Sequence, residues 1–276
     1  FGSLRLGKFI AYLPKSVVSG FVQAAALVII ISQLPQGFGF VLEKQDGLLA
    51  DLMLIIQHLP KYHGITFLLF LSCLILLFGG VLFYPNFPTS IVLLLFSGVI
   101  AFAFNLEEQQ VALIGEIPNG LPSFIVPQFY QEQWQIFPSA FGIAFIASVG
   151  SFVMAKSLEK EQHSPWQPDR DMLALGVSKV VGSFFGGLLS AGSFNRSILS
   201  YKVGTKSQFS SIVASLVILF TMLFLTQVIY YLPQSVIAAI IVYSAYFLFD
   251  FKGIKNMILH DKPNAVILLL TMTATL

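Results

Sequence analysis

The chain has 276 residues, 56% of them hydrophobic and 10% charged, with a mean hydropathy of +0.83. A soluble domain carries about 25% charged and about 45–50% apolar residues, so this composition excludes a soluble enzyme, a nucleic-acid binder and a disordered tail. It is that of an integral membrane protein. The net charge of +2 calls for no polyanionic partner, and the single cysteine, Cys73, permits no internal disulfide.

The chain opens on Phe1 without a charged leader or cleavage site. It stops at Leu276 within an apolar run from Ala265 that falls short of the about 20 residues a bilayer crossing needs. It reads as an internal piece of a longer membrane protein. Apolar runs predict spans at 17–34, 64–83, 89–104, 137–155, 172–189, 209–229 and 235–249, followed by the cut run. These runs are too long and continuous for barrel strands, so the spans are helices. Between 172–189 and 209–229 lies a short amphipathic piece, 194–203, half the length of a span.

Lysine and arginine set the orientation. One set of loops holds Arg5, Lys8 and Lys15, then Lys156, Lys160 and Arg170, then Lys202 and Lys206, then Lys252, Lys255 and Lys262. The opposite set holds only Lys44 and Lys61, among Glu43, Asp46, Asp51, Glu107, Glu108, Glu116 and Glu132. The two sets alternate only if 194–203 counts as a crossing, which makes it a broken, re-entrant helix with the basic loops cytoplasmic. Tyr12-Leu13-Pro14-Lys15-Ser16-Val17 and Tyr231-Leu232-Pro233-Gln234-Ser235-Val236 open two spans of opposite direction, as an inverted repeat would.

Ionisable groups inside spans are costly and usually functional. The acids lie in loops or at span ends, with Asp171 and Asp250 nearest the membrane, while two cations enter: Lys179 and Arg196. Lys179 can snorkel to the cytoplasmic face as an anchor. Arg196 follows Ser190-Ala191-Gly192-Ser193-Phe194-Asn195 at the start of the half-length helix. Free N–H groups, a positive dipole end and a guanidinium together make an anion site. The alternative is that Arg196 ties helices together or pairs with a carboxylate. Small residues recur at Ala174, Ser178, Gly182, Gly186 and Ser190, and at Ala140, Ala144, Ser148 and Ser151. Such stripes let helices approach closely, and Gly150 would leave room beside the broken helix. No catalytic or metal motif occurs, and His58, His63, His163 and His260 read as solvated loop residues. Transporter, channel and scaffold remain, the last leaving an intramembrane Arg unexplained.

Gly192-Ser193-Phe194-Asn195-Arg196-Ser197 resembles the Gly-Ser-Phe-Ser-Arg-Ser-like motif of the SulP anion transporters, the family of bacterial sulfate permeases and animal prestin. Ile117-Pro118-x-Gly120-Leu121-Pro122, Met154-Ala155-Lys156-Ser157-Leu158 and Val181-Gly182-Ser183-Phe184-Phe185-Gly186-Gly187 also match, as do further stretches in order along the whole chain. The resemblance implies an all-α membrane protein of two inverted seven-helix repeats with core and gate domains, the anion held between facing half-helices three and ten. By that mapping the chain runs from about helix 5 into helix 13. Residues 1–136 hold gate helices 5–7, residues 137–233 core helices 8–11 with half-helix ten at 194–203, and residues 234–276 gate helix 12 and the start of helix 13. Helices one to four, helix fourteen and the family's usual cytoplasmic STAS domain would lie outside it.

The implied function is secondary transport of a small inorganic anion by alternating access, sulfate first and bicarbonate or chloride next, without enzymatic activity or cofactor. The protein would be a multi-pass, homodimeric cell-membrane protein. Arg196 would supply positive field, Ser193 and Asn195 hydrogen bonds, and Gly192 close backbone approach; Phe194 would wall the site, and Ala147 and Gly150 would shape its far side. Gly150 stands where many bacterial relatives carry an acid linked to cation coupling, which points to exchange or uniport. The rivals are a nucleobase carrier of the same fold and an anion channel or motor-like protein.

Overall fold

The computed structural model of the chain describes residues 14–40, 42, 47–83, 87–117, 120–126, 131–162, 167–190, 192, 196–197, 200–201, 204–205 and 207–276. In chain order its longer helices are α1 (Lys15–Phe38), α2 (Leu48–His58), α3 (Gly64–Phe83), α4 (Thr89–Ala103), α5 (Phe137–Gln162), α6 (Pro168–Ser183), α7 (Phe209–Phe224), α8 (Thr226–Tyr230), α9 (Gln234–Tyr246), α10 (Phe251–His260) and α11 (Lys262–Thr275). Among the described residues, Ser16–Phe38 and Trp134–Phe152 are long and apolar enough to cross a bilayer alone, and Ala50–Lys61 with Gly64–Gly80 form an apolar pair bent by 116°. Large apolar side chains such as Leu68, Ile75, Leu82, Ile91, Phe96 and Val99 are exposed. Water would penalise that surface, whereas lipid does not.

The structure departs from the hydropathy reading in four places. The 172–189 run is helical only to Ser183, because Gly186 takes φ +64. Gly187 N–H then bonds the Gly182 carbonyl at 2.9 Å and Gly186 N–H the Ser183 carbonyl at 3.2 Å, a Schellman stop that needs a residue at ease in the left-handed region. The 209–229 run breaks at Leu225, between α7 and α8. Residues 48–58, outside the predicted spans, form α2. Lys252 and Lys255, assigned to a basic loop, sit on α10, whose N-terminus is capped by Asp250 accepting from Gly253 N–H at 2.8 Å.

The two Tyr-Leu-Pro openings act alike where they are described. Val17 N–H bonds the Pro14 carbonyl and Val236 N–H the Pro233 carbonyl, each at 3.1 Å. The intervening serines, Ser16 and Ser235, are 2% and 1% exposed. Tyr12 and Leu13 lie outside the described residues.

The chain forms two compact units, Phe1–Val18 with Leu121–Leu216, and Ser19–Gly120 with Val217–Leu276. The second packs α3 against α9 through Phe70, Cys73, Leu77, Val236, Ala238 and Ala239, with Phe78 edge-on to Tyr243 and Tyr246 at 5.2 Å each. Gly20 lets α1 approach α11 so closely that a Cβ there would stand 2.5 Å from the Leu268 carbonyl oxygen. An extended segment beyond α4 pairs with the chain entering α9, bridging Leu113 and Pro233 in antiparallel fashion. Ile114 N–H donates to the Leu232 carbonyl at 3.0 Å, and Gln234 N–H to that of Ala112 at 2.9 Å. Gln234 Nε2 donates to the Leu113 carbonyl at 2.9 Å. Beside this ladder, Tyr230 donates its hydroxyl to Glu107 Oε1 at 2.9 Å. That bond, with the carboxylate's charge, raises the phenol above its ordinary pKa.

Candidate functional site

The first unit holds the residues singled out from sequence. Its frame is α5 and α6, with the stretch 121–126 laid along the end of α6. Ile125 N–H donates to the Phe184 carbonyl at 2.7 Å, and Phe124 stacks on Phe184 and meets Phe185 edge-on, both at 5.7 Å. These contacts fix where the chain leaves α6 toward the Arg196 segment.

A cleft of about 570 Å³ lies beside the two helices. From α5 it is lined by Ser148, Ser151, Phe152, Met154 and Ala155, and from α6 by Asp171, Met172, Ala174, Leu175 and Ser178, with Gly192 and Ser211 completing it. The two small-residue stripes thus contribute to one cavity. Ser148 donates its hydroxyl to the Ala144 carbonyl and Ser178 to that of Leu175, each at 2.7 Å. Their protons are engaged, and what they offer a ligand is acceptor lone pairs. Donors for an anion must come from backbone N–H groups and cations.

Gly192 is the point where the chain returns to α5. Its N–H donates to Ser151 Oγ at 3.4 Å, and a Cβ on it would stand 2.9 Å from Met154 Cε and 3.3 Å from Ser151 Oγ. Glycine therefore lets the backbone come down against α5 at the cleft. Arg196 and Ser197, then Ser200 and Tyr201, are helical, and Arg196 is exposed. Gly204, at φ +83, closes this piece. Thr205 N–H reaches the Ser200 carbonyl at 3.0 Å and Gly204 N–H the Tyr201 carbonyl at 2.9 Å, the same stop that ends α6. Ser193, Phe194 and Asn195 lie outside the described residues.

Ala147 and Gly150 are half-buried on α5. They fall outside the cleft lining, and a Cβ at Gly150 would meet no atom within 4 Å among the described residues. Of the seven sequence-selected residues, then, the described cleft brings in Gly192. It adds Ser148, Ser151, Met154, Asp171 and Ser178, which sequence reasoning did not assign to a site. The stripe spacing carried the signal for the serines and was read as packing alone. Lys179 neither anchors at the α6 terminus nor lines the cleft: its ammonium donates to the Ser190 hydroxyl, tying α6 to the strand of chain that leads to Gly192. Asp171 brings a carboxylate to the cleft from the first turn of α6, where the helix dipole favours it.

The sequence profile of the sulfate permease family matches residues 1–271. A probable sulfate transporter 4.2 of Arabidopsis thaliana is 28% identical over 283 aligned residues, covering 100% of this chain and 42% of the plant protein. The chain thus spans about two fifths of that relative's length. The structure of SLC26A9 superposes with a TM-score of 0.88 at 25% identity, over 96% of this chain and 43% of the other. The transmembrane domain of a cyanobacterium bicarbonate transporter, BicA, superposes at 0.84 and 21% identity, over 100% of this chain and 71% of the other, a likeness of fold. The all-helical membrane fold expected from the resemblance is therefore the observed one, and the chain belongs to the sulfate permease family.

Proposed function

We propose that the protein of which this chain is part carries small inorganic anions across a cell membrane by alternating access, as a homodimer working by exchange or uniport. Sulfate is the first candidate, with bicarbonate or chloride next. One observation carries the reading: Gly192 holds its backbone against α5 at a cleft, immediately ahead of a short helical piece bearing Arg196, in a chain matched along its length by the sulfate permease family. The names of the relatives, one a probable sulfate transporter and one a bicarbonate transporter, support the substrate class.

In this reading the anion meets Arg196 and backbone N–H groups of the 192–197 segment. Ser193 and Asn195 bond it, Phe194 walls it in, and Ala147 and Gly150 shape the far side. A guanidinium suits a tetrahedral or planar oxyanion because its donors form a rigid fork. The core would be 137–233 and the gate 1–136 with 234–276, so that binding elements and their counterpart move against each other. An anion channel would use the same positive field without saturable coupling.

Labelled sulfate uptake by the complete protein in liposomes, with labelled uracil as the rival substrate, tests the proposal. Arg196→Ala should weaken sulfate binding by about 1.5–3 kcal/mol, the worth of one charged hydrogen bond, and Arg196→Lys should restore part of it. A folded Arg196→Ala protein with unchanged sulfate affinity makes Arg196 structural. Uracil uptake without sulfate uptake refutes the substrate class, and large unsaturating anion currents favour the channel.

A further inference from the structure

The helix α10 has a face that the transport reading leaves unused. Ten residues rise about 15 Å, too little to cross a bilayer. Yet Phe251, Ile258 and Leu259 are 56%, 50% and 60% exposed, and with Lys255 they line a shallow hollow of about 260 Å³ on the outside of the helix. Ile254, which also borders the hollow, is half-buried, as are Gly253 and Met257, and α10 packs on α11. The exposed row runs Phe251, Lys255, Leu259 at i, i+4 and i+8, which sets a cation between two apolar residues.

The charge around this row is one-sided. Lys252 flanks it by register, Lys255 lies within it, and the exposed Lys262 begins α11. The two nearby acids are engaged at helix N-termini: Asp250 accepts from Gly253 N–H at 2.8 Å. Asp261 accepts from Asn264 Nδ2 at 2.7 Å. A protein partner would bury Lys255 in a dry contact with its ammonium unpaired, which is costly. A lipid surface satisfies both halves at once, because aliphatic residues enter the acyl boundary while lysines reach the phosphates.

We propose that α10 is an interfacial helix that lies along the membrane surface and binds anionic phospholipid through Lys252 and Lys255, with Phe251, Ile258 and Leu259 immersed beneath. The occupant of this face is the bilayer of the protein's own membrane, and the phosphodiester headgroup is what it recognises.

Tryptophan quenching by brominated lipid tests this in the complete protein. Phe251→Trp and, separately, Leu259→Trp serve as reporters in a background with Trp134→Phe, Trp166→Phe and every further tryptophan of the complete protein likewise changed to Phe, and His260→Trp reports the polar flank. The protein is reconstituted in phosphatidylcholine or phosphatidylglycerol, brominated or not. We expect strong quenching at 251 and 259, weak quenching at 260, and a several-fold preference for brominated phosphatidylglycerol. Lys252→Gln with Lys255→Gln should bring that preference close to parity, since each lysine at an anionic surface carries about fivefold, from about 1 kcal/mol. Absence of quenching at both 251 and 259 shows the face to be in water or covered by protein, and overturns the proposal. Quenching at 251 and 259 with equal preference for the two lipids, or a preference that survives the double glutamine variant, overturns the headgroup recognition.

Discussion

Gly192 offers the sharpest test of how the site is built. Adding a single methyl at this position places a carbon 2.9 Å from Met154 Cε and 3.3 Å from both Met154 Sδ and Ser151 Oγ. Carbon–carbon contacts are best at about 3.5–4.0 Å, so the methyl is about 0.6 Å too close to a side chain that can turn away. Moving Met154 off its rotamer costs about 0.5–1.5 kcal/mol, which sets the expected loss for Gly192→Ala. Gly192→Val cannot be relieved by one rotation and should lose about 1–3 kcal/mol by overpacking. Gly150→Ala, on α5 beside Met154, meets nothing within 4 Å and serves as the control, expected to stay within about 0.5 kcal/mol or to stabilise slightly. Thermal unfolding of the purified complete protein in detergent measures these losses. Met154→Ala combined with Gly192→Ala should be less destabilised than the sum of the two by at least about 0.5 kcal/mol, because the first change removes the atoms the second strikes. Strict additivity, or equal tolerance of alanine at 192 and 150, would show that the chain does not seat on α5 at Met154.

Gly20→Ala sets a Cβ 2.5 Å from a backbone oxygen, whereas Gly79→Ala meets nothing within 4 Å. The same helix-propensity gain of about 1 kcal/mol should therefore be reversed by about 1–3 kcal/mol of overpacking at 20 and appear as stabilisation at 79, read by the same melts. Tyr230 should ionise later than an ordinary phenol of pKa 10.0. Because its folded pKa is raised, its contribution to stability is fully present below about pH 10 and fades as pH climbs through the folded value. Ultraviolet phenolate titration should lose this late component in Tyr230→Phe, and Glu107→Gln should move it back toward the ordinary value. Sulfate uptake should change little with external sodium or between mildly acidic and neutral pH, while Gly150→Glu should make it favour acid; an acid stimulation of about tenfold in the unmutated protein would place a coupling group elsewhere.

Most helices were legible because an apolar run in a weakly charged chain has one outcome in lipid, and the motif from Gly192 to Ser197 was legible because its residue types are rare inside membranes. What escaped was local backbone chemistry. Composition alone cannot tell that Gly186 takes a left-handed conformation and ends α6 while Leu188 and Leu189 continue the apolar run. Nor does hydropathy distinguish α10 from a basic loop, since its lysines cancel its isoleucines in any average and only the 3.6-residue spacing separates them. The serine stripes were visible in sequence, but whether such a stripe seals two helices together or lines a hollow depends on the distance between helix axes, which no periodicity encodes. Lys179 was visible as a cation and silent as a bond, because its acceptor, Ser190, is eleven residues away across a stop that the sequence did not announce.

The ladder between 112–115 and 230–234 also has a consequence for how the protein is made. Its two edges are separated by about 120 residues, and the chain between them includes nearly all of the other compact unit. A ribosome-bound chain inserting from its N-terminus exposes the first edge early and has no partner to give it until α8 has emerged. Within these 276 residues the second unit is therefore completed only after most of the first has been made. Translation delivers α4 to α3 at once but must reach α9 before the main packing surface of α3 is covered, so the interval between those two events is when the unfinished protein is most open to chaperones and to quality-control proteases.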